Sequence, residues 1–161
     1  MAYAAITPYA DVTYADAYFA ERLNTTAWTG ASAGDKLAAL KQSTRSIDLL
    51  PLVDEKCDDT QEREFPRTVD EGCADGSGDV PAAVQDACCE IAIALLENKS
   101  LEQLSQNLGI KSKRVGDASQ SYADGRGRMA LFDDNLGLPS PTAARMLAPW
   151  IADEAVDLSR V

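Results

Sequence analysis

The residues of this chain that could touch a nucleic acid are Lys113, Arg114 and Tyr122: two cations able to neutralise phosphates and one ring able to stack on a base. They lie in residues 111 to 128, where Lys111, Lys113, Arg114, Arg126 and Arg128 outnumber Asp117 and Asp124, a local net of +3. Arg67, directly after Phe65 and Pro66, is a third cation of interest. Catalytic chemistry has fewer parts to draw on. The absence of histidine removes the commonest general base, the commonest metal ligand and any Ser-His-Asp arrangement. Gly125 and Gly127 around Arg126 read as a flexible turn, not a phosphate cradle. Cys57, Cys73, Cys88 and Cys89 lack the paired two-residue spacing of a zinc site. No catalytic, cofactor or metal residue is assigned, and an enzyme is not expected.

Composition sets the wider bounds. With 161 residues, 45% of them apolar, the chain fits one globular domain with a modest core. Its formal net charge is −11, which argues against nucleic acid as the main ligand because a negative surface repels a polyanion. No signal-like start and no 18-residue apolar run occur, so the expectation is a cytosolic protein without membrane contact. In a reducing compartment a disulfide between Cys57 and Cys73 is not expected. Of Cys88 and Cys89, consecutive in a helix, at least one should be a small core residue.

The elements that must position these residues are mainly helical. After an extended arm, Asp11 or Thr13 can cap a helix over Tyr14 to Leu23, with Ala15, Phe19 and Leu23 on one row. Residues 24 to 34 read as a loop anchored by Trp28. A second helix from Ser32 or Asp35 to Leu50 carries Leu37, Leu40, Thr44 and Ile47 at spacings of three and four, and Pro51 ends it. Residues 51 to 80 hold ten acids against Lys56, Arg63 and Arg67, a net of −7. Pro66 rigidifies this connection, and Pro81 opens a third helix running to about Asn98, whose broad apolar face marks the centre of the core. A helical turn over Leu101 to Leu108 follows. Val115-Gly116-Asp117-Ala118 is a hairpin turn between two short strands. Pro139, Ser140 and Pro141 lead into a last helix over Ala143 to Ala148, and Leu147, Trp150 and Ile151 belong to an apolar C-terminal segment.

Taken in order, Thr13 to Phe19, Ala38 to Asp48, Phe65-Pro66-Arg67, Val80 to Ala83 and Lys113 to Asp117 resemble the head-tail connector or adaptor proteins of tailed bacteriophages, some described as DnaT-like single-stranded DNA-binding proteins. The resemblance covers most of residues 11 to 123. Phe65 stands where the family pattern has tryptophan, and cysteines in the acidic loop are a second departure. The resemblance implies a small helical bundle with a projecting acidic loop and a two-stranded β-ribbon, residues 11–123 forming the core and ribbon and 124–161 a docking segment of a single domain spanning 1–161. It implies a structural neck protein in the virion, assembled in the host cytoplasm as a ring, commonly of twelve copies. Its partners would be a portal protein, a tail, stopper or terminator protein, and double-stranded DNA in passage.

Each candidate then has two readings. Phe65, Pro66 and Arg67 form either a rigid loop packed on the helices or a surface where Arg67 pairs with a neighbouring subunit. Lys113, Arg114 and Tyr122 belong either to a solvated hairpin, to a subunit interface with the acidic loop, or to a single-strand contact. The acids of the loop either solubilise the chain or line a DNA channel. Leu147, Trp150 and Ile151 either complete the core or dock a partner. The leading expectation is the ring adaptor; the alternative is a single-stranded DNA-binding module.

Overall fold

In the computed structural model, the described residues are 6–97 and 137–152, together with the backbone of 112–115 and 118–121. They are mainly helical. Helix α1 spans Val12–Ala20, α2 Thr26–Thr29, α3 Ala33–Asp48, α4 Glu71–Ala74, α5 Ala82–Leu96 and α6 Pro141–Leu147, followed by a single 3-10 turn over Ala148–Trp150. Strands β1, Ser112–Val115, and β2, Ala118–Ser121, pair antiparallel with Lys113 opposite Gln120 and Arg114 opposite Ser119.

Short polar side chains start the helices. The Asp11 carboxylate accepts from the Tyr14 amide at 2.7 Å, Ser32 Oγ from the Asp35 amide at 3.1 Å, and Ser140 Oγ from the Ala143 amide at 3.3 Å, each satisfying a donor that the first helical turn leaves free. Pro81 sits at the cap of α5, one position before the first helical residue, where its missing N–H costs nothing.

Helices α3 and α5 pack on each other as the centre of the molecule, and α6 closes over α5. The buried face of α5 includes Val84, Ala87, Cys88, Ile91 and Ala92. Both Cys88 and Cys89 are fully buried. The face of α3 is Ala39, Leu40, Ser43, Thr44 and Ile47. Two hydroxyls survive there because Ser43 Oγ donates to the Ala39 carbonyl at 2.7 Å and Thr44 Oγ1 to the Leu40 carbonyl at 3.0 Å, so neither is an unpaired buried group.

Some expectations from spacing are corrected at the edges of these faces. Leu37, placed on the apolar row of α3, is 38% exposed. Leu23, placed on the row of Ala15 and Phe19, lies beyond the end of α1 and is 88% exposed, since the helix stops at Ala20. The loop around Trp28 contains the one-turn helix α2, and Trp28 is its buried anchor: the indole N–H donates to Asp16 at 2.8 Å, Phe19 lies 4.8 Å away between ring centres, and the Lys36 ammonium sits 5.0 Å from the ring centre. The expected turn over Leu101 to Leu108 falls outside the described residues.

Candidate functional site

The segment from Pro51 to Val80 is organised by Arg67. Its Nε donates to the Val53 carbonyl at 2.6 Å, one terminal nitrogen reaches Glu64 Oε2 at 2.9 Å, and the other reaches the Asp54 carbonyl. Only 5% of the residue is exposed. A planar guanidinium offers five donors in a fixed fork, so one side chain gathers two stretches of backbone and a carboxylate. Around it the chain folds back on itself: Thr68 donates to the Glu55 carbonyl at 3.0 Å, Cys57 to the Pro66 carbonyl at 3.2 Å, and Gln61 Nε2 to the carbonyls of Arg63 at 2.8 Å and Pro66 at 3.0 Å. The Phe65–Pro66 peptide is cis.

Phe65 fastens this loop to the body. Its ring meets Tyr9 and Trp150 edge-on, each at 5.7 Å between centres. The Tyr9 hydroxyl accepts from the amides of Glu64 at 3.1 Å and Phe65 at 3.2 Å and donates to Asp48 at the end of α3. Burial and that carboxylate push the Tyr9 phenol far above its usual range, so it stays protonated and serves as a donor. Hence the centre of the acidic loop is inside the molecule, where a projecting loop was expected. The structure also joins Cys57 to Cys73 in a disulfide, with Cα atoms 5.5 Å apart, where reduced thiols were expected. Spacing alone could not show that the turn at α4 returns to residue 57.

The C-terminal candidates fall on the same assembly. Leu147 is fully buried, the Trp150 indole donates to Asp70 at 2.8 Å, and Ile151 bridges Leu52 in a short antiparallel pairing closed by Val53 to the Trp150 carbonyl and Ala152 to the Pro51 carbonyl, both 2.8 Å. All three residues are thus engaged within their own chain.

Electrostatics on the other side of the body join α1 to α5. Tyr14 donates to Asp86 and Tyr18 to Glu90, each at 2.7 Å, and Arg22 pairs with Glu90. Burial, with the Asp86 carboxylate next, pushes the Tyr14 phenol up to about 12. Near the opposite end of α5, Thr26, Gly30, Ala38, Gln42, Leu95 and Leu96 border an open cleft of about 530 Å³. Among the described residues, no group of Cys, Asp and Glu side chains is arranged to hold a metal, and no helix is long and apolar enough to cross a membrane.

Of the cations singled out for nucleic-acid contact, Lys113 and Arg114 lie on β1. Tyr122 and the hairpin turn at Gly116 and Asp117 lie outside the described residues. Every described aromatic residue is buried or half-buried, which leaves no open stacking platform on the described body. Sequence reasoning missed Tyr9, Asp48, Gln61 and Asp70, whose roles depend on polar contacts between distant positions and leave no periodic trace.

Comparison with curated proteins and with solved structures gives no match. A family model described as "Putative DnaT-like ssDNA binding protein" matches residues 3–160. Nearly the whole chain is covered, and on that match it belongs to the DnaT-like family.

Proposed function

We propose that this chain is a non-enzymatic single-stranded DNA-binding protein in which residues 111–128 make the contact and the helical body carries them. The observation behind this reading is the family match over residues 3–160. The local net of +3 in that segment agrees with it. Phosphate contacts from Lys113 and Arg114 would give affinity without sequence preference, and a base stacked on Tyr122 would add about 1–3 kcal/mol.

Fluorescence anisotropy with a labelled oligothymidine across a salt series tests the reading. Affinity should fall steeply with salt, and the Lys113→Ala/Arg114→Ala pair should weaken binding and flatten the salt slope by roughly one to two units. Absence of measurable binding at low salt would remove the proposal.

A second reading is favoured by the body itself, whose surface is acidic, whose described rings are all engaged, and which exposes Leu23, Leu49 and Val69. Those properties suit a subunit that binds protein, as in a bacteriophage head-tail adaptor ring between portal and tail or stopper proteins, with DNA passing through. Light scattering of the purified chain with and without a portal protein discriminates: a closed multi-copy assembly and no oligonucleotide binding would place this reading first.

A further inference from the structure

The disulfide between Cys57 and Cys73 divides the acidic loop into two parts that are held by different means. Residues 53–70 are fixed by the Arg67 fork, the Phe65 ring and the indole of Trp150 on Asp70. Residues 71–79 have none of these. Among the described residues, no side chain from 71 to 79 joins the apolar core or forms an ion pair.

The hydrogen bonds of that segment are local. Asp75 donates to the Glu71 carbonyl at 2.9 Å, Gly76 to Cys73 at 3.3 Å, Gly78 to Gly72 at 2.8 Å, and Ser77 to the Asp75 carboxylate at 2.9 Å. Cys73 and Ala74 donate to the Asp70 carbonyl, which is simply the start of α4. Gly72 packs against the segment's own return: a Cβ there would lie 2.2 Å from the Asp79 carbonyl oxygen. What ties the turn to the Lys56–Cys57 stretch is the sulfur–sulfur bond. Cys57 and Cys73 are half-buried, whereas Cys88 and Cys89 are fully buried, so a reductant in solution meets the bonded pair and not the free thiols.

We propose that this disulfide is a redox-operated clasp: reduction frees residues 71–79, with α4 and the carboxylates of Glu71, Asp75 and Asp79, while the Arg67-centred loop and the long helices α3 and α5 stay in place. The reductant is a dithiol. One of its thiolates attacks a sulfur of the pair and releases the other cysteine as a thiolate; its second thiol then attacks the mixed disulfide. The dithiol ends as a disulfide, and its two hydrogens end on Cys57 and Cys73. This device is independent of which partner the protein binds.

Hydrogen exchange read by mass spectrometry on the full chain, before and after treatment with dithiothreitol, tests the clasp, with iodoacetamide labelling under native conditions to count accessible thiols. The oxidised chain should take no label. The reduced chain should take two, at Cys57 and Cys73, and amide exchange in 71–79 should quicken by roughly ten- to a hundredfold while α3 and α5 keep their protection. The Cys57→Ala/Cys73→Ala variant should show the reduced pattern without reagent. Four thiols in the oxidised chain, unchanged exchange in 71–79 on reduction, or loss of protection throughout α3 and α5 would each overturn the proposal.

Discussion

The helical body and the loop from Pro51 to Val80 are stabilised by opposite means. In the body, large apolar side chains such as Leu40, Ile47 and Ile91 are fully removed from water, and stability follows from the area they bury. In the loop, a charged residue occupies the centre, and its order depends on the hydrogen bonds that one guanidinium makes to Val53, Asp54 and Glu64. A body of the first kind tolerates exchange among residues of similar volume. A loop of the second kind tolerates little, because a lost partner leaves a buried carbonyl or carboxylate unpaired.

The largest expected effect tests the body. Trp28→Ala should remove about 3–5 kcal/mol of unfolding free energy, since it empties the space beside Phe19 and discards the hydrogen bond to Asp16. Urea titration followed by circular dichroism measures it, and a loss under about 1 kcal/mol would mean that the α1–α2 corner contributes little to cooperative unfolding.

Next, Arg67→Ala should cost about 2–4 kcal/mol, below the body's loss because Glu64 retains some access to water. Arg67→Lys should recover only a minor share, as an ammonium cannot span Val53, Glu64 and Asp54 together. Full recovery by lysine would show that charge alone, and not the fork, organises the loop.

The smallest effect is a pH dependence that belongs to the loop. Burial pushes the Glu64 carboxyl up, but hydrogen bonds from Lys56 and Arg67 outweigh it and hold the group below its ordinary 4.5. A folded-state pKa below the unfolded one means that the contribution is complete above about pH 4.5 and is lost as pH falls through the lowered value. Thermal melts between pH 6 and 3 should therefore show a stability difference between the parent and Glu64→Gln that narrows on the acid side. A difference that stayed constant over that range would remove Glu64 from the account.

The same contrast explains what could be read from the residues in order. Helices α1, α3 and α5 announce themselves because apolar residues recur every three or four positions and Asp11, Ser32 and Pro81 mark their starts. Trp28 was legible as an anchor, being the one large ring among small polar residues. Leu23 and Leu37 misled because periodicity continues on paper after a helix has ended or turned away from its neighbour. The loop's interior was illegible for a different reason. Aspartates and glutamates in bulk look like a solvated surface, and nothing local tells that Arg67 turns inward, that Tyr9 reaches Glu64, or that Cys73 returns to Cys57. For the candidate nucleic-acid contact, the charge segregation and the cations at 113 and 114 were visible from composition, and the family match adds the association with single-stranded DNA.

Because the Tyr9 hydroxyl takes the amides of Glu64 and Phe65, a position near the start of the chain holds shut a turn more than fifty residues downstream. Removing that one hydroxyl, as in Tyr9→Phe, would leave the three long helices able to form yet unlatch a distant corner.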